Sequence, residues 1–199
     1  MRIRGNASYL SAKGKKKFSG EFEIPDNITF QNIKIEGEAK FTNLYSTKKV
    51  NVFGTVDGNE IKTTKLVLDG RVNLKKITTE DLNVIFSDKS HCNTIIAQDV
   101  VMHPQKENKE LKNKVISIFE SLMNIKIPDV SNTEEIPEIQ IDLLQGKNIE
   151  IESCKVNKVI CKNAKIMGNC KINMLIYESD LTISPDSSIK QKSIRKYKK

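Results

Sequence analysis

Four glycines keep time through the first third of the chain. Gly20, Gly37, Gly54 and Gly70 recur at successive steps of 17, 17 and 16 along the numbering. Each is followed by a similar phrase: Glu21-Phe22-Glu23-Ile24, Glu38-Ala39-Lys40-Phe41, Thr55-Val56-Asp57-Gly58 and Arg71-Val72-Asn73-Leu74. Polar and apolar residues alternate in these phrases, as they do along a short strand with one covered face. Ahead of the last three glycines, Ile33-Lys34-Ile35, Val50-Asn51-Val52 and Leu66-Val67-Leu68 hold their own fixed place in the repeat. One repeat therefore contains at least two short strands and tight corners. A unit this small cannot bury its apolar face alone, whereas stacked copies share one continuous core, so the beat predicts a β solenoid.

Taken along the chain, coils begin at Ile28, Leu44, Ile61, Ile77 and Ile95, at steps of 16, 17, 16 and 18. The coil from Ile77 keeps Leu82 and Val84, puts Phe86 near the glycine position and ends in Ser87-Asp88-Lys89-Ser90, a longer corner. Ile95-Ile96 and Val100-Val101-Met102 open one more coil. The period then changes: from about Glu107 to Asn124, Leu111, Val115, Ile118 and Leu122 recur at helical spacing, with Ile116, Phe119 and Met123 beside them. An amphipathic helix is expected there, and Pro128 and Pro137 bracket an acidic connector back to strands. The beat resumes at Ile139. Cys154, Cys170 and Ser187 share one register, Val156, Ile172 and Ile189 a second, and Leu143, Val159 and Leu175 a third. The expected fold is all-β: a parallel β-helix of about eight coils, stacked at about 4.8 Å, with one inserted helix and disordered basic termini.

Composition enters where it tests that expectation. Apolar residues make up 38% of the 199 and there is no Trp, which suits a narrow core filled by Val, Ile, Leu and small residues. The formal charge of +8 is confined to the ends. Residues 1–17 carry six basic residues and 187–199 another six, with no acid in either stretch, so the remaining 21 Lys and Arg face 25 Asp and Glu. A mildly acidic body between two basic ends is the result. The expected organisation is a basic arm over 1–17, amino-terminal coils over 18–102, the helical insertion and connector over 103–138, carboxyl-terminal coils over 139–190 and a basic tail over 191–199. No stretch reads as a signal peptide or approaches the roughly 18 apolar residues of a spanning helix, so a soluble cytosolic protein is expected.

The chemistry-bearing residues point away from catalysis. Cys154, Cys161 and Cys170 match no common zinc spacing, and only His91 and His103 could assist them. With Cys92 they read as reduced thiols acting as small core residues. Glu36 and Asp69 share a register with Phe53 between them, and Asp57 is flanked by Lys40 and Asn73, so no pair of acids is expected on neighbouring coils. Neither phosphate-cradling glycine motif occurs, and hexapeptide acyltransferases differ in the period of their turns. No catalytic, cofactor-binding or metal-binding residue is assigned, no small-molecule substrate is expected, and the protein is read as not an enzyme, a solenoid acyltransferase or polysaccharide-acting enzyme being the third and weakest reading. A second class of reading is a monomeric solenoid whose basic ends contact an anionic membrane or nucleic acid; the scarcity of aromatic residues among those charges makes nucleic acid the weaker partner.

The carboxyl-terminal repeats resemble a known family. Gly146-Lys147-Asn148-Ile149-Glu150-Ile151-Glu152, then Gly168-Asn169-Cys170-Lys171-Ile172, then Leu175-Ile176-Tyr177-Glu178 are similar in order and kind to phrases of the bactofilin-like, polymer-forming cytoskeletal proteins of Firmicutes. Met167 stands where the family's cysteine phrase has its first glycine. The resemblance implies a right-handed β-helix that assembles end to end with itself, without nucleotide, at or near the cytoplasmic membrane. It implies a homopolymer as the main partner; an anionic membrane met through the basic ends or the inserted helix is expected from their charge and apolar stripe.

Overall fold

A computed structural model describes residues 3–4, 11–87, 89–105 and 136–195. Every described element is a strand. After β1 (Ile3–Arg4) comes β2 (Ser11–Lys62), a segment of continuous strand pairing that winds through successive coils. Inside it, Ser46 Oγ donates to Gln31 O at 2.7 Å and Asn43 Nδ2 to Asn27 Oδ1 at 2.6 Å, each contact reaching one coil back. Shorter strands follow: β3 (Lys65–Gly70), β4 (Val72–Thr78), β5 (Asp81–Phe86), β6 (Ser90–Ile96) and β7 (Asp99–Pro104). Beyond the insertion lie β8 (Ile139–Gln145), β9 (Asn148–Ile151), β10 (Cys154–Ile160), β11 (Asn163–Ile166), β12 (Lys171–Tyr177), β13 (Leu181–Ile183) and β14 (Ser188–Ile194).

The strand pairings are parallel, and from β2 they run in two series. Odd-numbered strands stack in the order β3, β5, β7, β9, β11, β13, and even-numbered ones in the order β4 to β14. Each odd strand and the even strand after it make one turn, so the chain is a β solenoid of about eight turns. The stretch between β7 and β8 does not interrupt the stack, since β6 pairs with β8 and β7 with β9 in unbroken register. An insertion at a corner is tolerated because both ladders close beneath it.

The cross-section follows from the spacing of inward residues. In the coil of β3 and β4 these are Leu66, Leu68, Val72, Leu74, Ile77 and Thr79. Steps of two lie along a face, and longer steps turn a corner, which gives three sides. Stacking then makes apolar columns such as Ile61, Ile77, Ile95, Leu144, Val159 and Leu175, all at most 1% exposed. Identical register puts branched side chains directly above one another at the strand spacing, where each covers the next from water.

Each corner has its own solution. At one, Gly37, Gly54 and Gly70 have φ of +117°, +128° and +135°, and a Cβ on Gly54 would overlap the carbonyl oxygen of Gly37. Glycine is required there by both backbone conformation and close stacking. The column ends at Phe86 and Pro104, Phe86 pairing in register with Gly70 and Pro104 with Phe86. At a second corner small hydroxyl residues turn inward and bond the coil below: Thr63 Oγ1 donates to Lys48 O (3.2 Å) and Thr79 Oγ1 to Thr64 O (2.9 Å). Such a partner offsets the cost of taking a hydroxyl out of water.

Several sequence expectations need correction or placement. Leu143 is not in the Val159 column; Leu144 is, because the strand bends at Asp142 and the inward step from Ile141 skips two positions rather than one. Strand structure begins before residue 18, with β1 pairing Phe22 and Glu23 and β2 starting at Ser11. It also runs past residue 102 to Pro104 and past 190 to Ile194. The expected helix over Glu107–Asn124 lies outside the described residues, as do positions 1–2, 5–10 and 196–199 of the basic ends.

On the outer surface of β2, Glu36 holds two ammonium groups, Lys34 Nζ at 2.7 Å and Lys17 Nζ at 2.9 Å. These hydrogen bonds, Lys34's first, lower the Glu36 carboxyl from the usual 4.5 to about 2. A depressed acid stabilises the fold above its unfolded pKa, and that contribution disappears as pH falls through about 2. A side-chain carboxyl titration by nuclear magnetic resonance should find this midpoint near 2. A midpoint near 4.5 would show that the two lysines do not hold the group in solution.

Candidate functional site

Three features of the surface carry chemistry or contact potential: the open end of the stack, a line of amides along the third corner, and a histidine set between two acids. The carboxyl-terminal end is formed by β13 and β14, the last strands of the two ladders among the described residues. Each pairs on one edge only, β13 with β11 and β14 with β12. The inward side chains of this turn, Leu181, Ile183 and Ile189, pack on the core but are only half-buried, while Ile194 is 57% exposed. Their equivalents one turn earlier, Ala164, Ile166 and Ile172, are buried. What separates the two turns is that no described residue lies above the second, so among the described residues this end presents both unpaired strand edges and partly uncovered core.

The third corner is rich in amides. Strand pairing passes over one position in every coil of the even ladder: Asn59, Lys75, Asn93, Asp142, Asn157, Asn173 and Lys190. The backbone bends there, and side chains rather than peptide groups connect the coils. Asn93 Nδ2 donates to Asp142 Oδ2 at 3.1 Å, and Asn173 Nδ2 to Asn157 Oδ1 at 3.0 Å. A shorter line stands at the hydroxyl corner, where Asn148 Nδ2 donates to Asp99 Oδ1 (2.6 Å) and Asn163 Nδ2 to Asn148 Oδ1 (2.7 Å). Sequence reasoning missed both lines although one was visible: Asn27, Asn43 and Asn59 recur at the solenoid beat, and so do Asn157 and Asn173.

Acids do meet on neighbouring coils, contrary to expectation. Asp81 and Asp99 are direct register partners in β5 and β7. Both are engaged elsewhere, Asp99 by Asn148 and Asp81 by Lys65 Nζ at 3.9 Å. His103 lies between two acids, with Nδ1 3.2 Å from Glu152 Oε2 and Nε2 3.8 Å from Glu150 Oε1. Lys165 Nζ approaches the other oxygen of Glu150 at 3.3 Å. The spacing argument missed this set because the insertion lengthens the sequence between His103 and Glu152 and so hides a one-coil step. As expected, Asp57 meets Asn73, whose Nδ2 donates to Asp57 Oδ2 at 3.2 Å. Phe53 pairs with Asp69 and carries Lys34 Nζ 4.9 Å from its ring centre.

The four cysteines are buried and free. Burial pushes the Cys92 thiol up to about 12 and the Cys161 thiol up to about 11, and drives Cys154 well above its ordinary value. Thiols held protonated in this way are poor nucleophiles and poor metal ligands, and they fill the columns as small apolar groups. Among the described residues no cluster of three His, Cys, Asp or Glu side chains is arranged to hold a metal ion, and no helix is long and apolar enough to cross a membrane. Compared with models of known families, with curated proteins and with solved structures, the chain matches none.

Proposed function

We propose that the protein is a structural, self-assembling element: a solenoid that adds copies of itself end to end and so forms nucleotide-independent polymers in the manner of the bactofilin-like family it resembles. One observation carries the proposal, the uncovered turn of β13 and β14. Its strand edges, unpaired among the described residues, and half-buried Leu181, Ile183 and Ile189 are what another coil of the same kind would cover, because successive turns of this chain already satisfy one another in that way. The protein then acts by position, without turnover. Right-handed winding and a cytoplasmic site of action belong to the same reading. So does contact with the inner face of the membrane, since clustered Lys and Arg at both ends of the chain attract anionic lipid by about 1 kcal/mol per residue at the surface.

Negative-stain electron microscopy and light scattering of the purified full chain without nucleotide test the proposal. Filaments are expected, with scattering that rises with concentration. Ile194→Lys, combined with Ile183→Lys, sets charges on the open edge, a device by which natural sheets block edge pairing. This variant should remain folded and monomeric. A wild-type chain that stays monomeric at high concentration, or a variant that polymerises as well as wild type, would remove the end-to-end reading.

A further inference from the structure

The amide corner borders a groove that the assembly reading does not use. In the carboxyl-terminal half the groove has a volume of about 380 Å³ and runs parallel to the stack from His91 in β6 to Lys190 in β14. A second depression continues it over the earlier coils along Asp57, Asn59, Asn73, Lys75 and Asn93. Both follow the same edge, so a linear ligand lying along the solenoid would meet an equivalent polar position once per coil. Repeating units stacked in one direction present this kind of extended surface.

The wall has a definite chemistry. The bond from Asn173 Nδ2 to Asn157 Oδ1 uses one donor and one acceptor, and leaves Asn157 Nδ2 and Asn173 Oδ1 without a partner among the described residues. Gln140 lies exposed on the same wall. Lys171 and Lys190 reach the groove from consecutive even strands and form no ion pair among the described residues, whereas Lys155 lies 3.6 Å from Glu138 and Asp142 is bonded by Asn93. Asp142 keeps its negative charge, since its partner Asn93 is neutral, but it is outnumbered by Lys171 and Lys190, so the net charge facing the groove is positive, and the free hydrogen-bonding groups include both donors and acceptors. Hydroxyls satisfy such mixed amide groups, and carboxylates satisfy the lysines through charge-assisted bonds.

We propose that this groove binds an extended anionic polysaccharide, with its hydroxyls on the amide line and its carboxylates on Lys171 and Lys190. The rise of one coil, about 4.8 Å, is close to the length of one sugar residue in an extended chain, so successive sugars keep step with successive coils. Nucleic acid fits less well, because no Phe, Tyr or Trp lines the carboxyl-terminal groove and His91, at one end, is the single ring among its lining residues on which a base could stack. A neutral glycan leaves both lysines uncompensated, and a simple phosphate polymer leaves the amides unused.

Affinity measurements on the full chain with three probes test this: polygalacturonate, amylose and inorganic polyphosphate. Polygalacturonate should bind and amylose should not. Lys171→Gln with Lys190→Gln should weaken polygalacturonate at least tenfold. Asn157→Ala with Asn173→Ala, which leaves the net charge untouched, should weaken polygalacturonate severalfold and leave any polyphosphate binding unchanged. All four positions are exposed, and an unchanged far-ultraviolet spectrum and melting temperature would confirm that the variants fold. The proposal fails if polygalacturonate does not bind. It fails equally if either double variant binds it as wild type does, since the basic ends of the chain would then account for the attraction, or if polyphosphate loses as much as polygalacturonate on amide removal.

Discussion

Ile172→Asp should unfold the carboxyl-terminal turns and lower stability by about 4 kcal/mol, at the upper end of single-residue effects. Ile172 is 1% exposed and lies between Val156 in β10 and Ile189 in β14, its partners on the two sides of β12. An unpaired carboxylate has nothing to bond there. It must either take up a proton or drag its strand to water, and both routes are costly. Because each coil touches chiefly its neighbours, the damage should be directional: hydrogen exchange should quicken from β10 to β14 while β3 to β6 keep their protection. Ile172→Val provides the scale, at about 1 kcal/mol for one lost methylene. A melting temperature for the Asp variant close to wild type would mean that position 172 faces solvent and that the column assignment is wrong.

The architecture was legible because a solenoid writes its geometry into the sequence as a period. The glycines at 20, 37, 54 and 70 do mark one stacked corner, and Cys154 with Cys170, or Val156 with Ile172 and Ile189, hold equivalent places in successive coils as spacing indicated. Where the period itself wavers, spacing misleads. Spacing alone puts Leu143 inward, one beat ahead of Val159, yet the longer step around Asp142 gives that place to Leu144. The His103, Glu150 and Glu152 set was hidden for a related reason, since inserted residues lengthen the sequence without adding a coil. The amide line escaped because strand reasoning follows apolar residues, and the corner position is defined by what the backbone pairing omits. None of these surface arrangements states a function by itself. Ladders of Asn are also a way of satisfying polar groups at a bend, which is why the groove needs a charge-neutral amide variant to separate binding from support.

The glycine corner carries the second large effect. Gly54→Ala should cost about 3 kcal/mol, and by the usual scaling for a chain of this size should lower the melting temperature by about 10 °C. Two penalties combine at this position. With φ at +128°, an L side chain is placed in a region that non-glycine residues rarely adopt. Independently, the added Cβ would run into the Gly37 carbonyl in the coil beneath, and that oxygen belongs to rigid backbone rather than to a side chain able to swing away. Relief requires the two coils to separate locally, which stretches the strand pairing inside β2 between the turns that carry Gly37 and Gly54. Gly168→Ala is the matched control. A Cβ there meets nothing nearer than Asp186 Oδ2 at 4.0 Å and its φ is not in the left-handed region, so its effect should stay within about 0.5 kcal/mol. If Gly54→Ala and Gly168→Ala melt together, the close stacking of the glycine column does not exist in solution, and the constant beat of the amino-terminal third must have another cause.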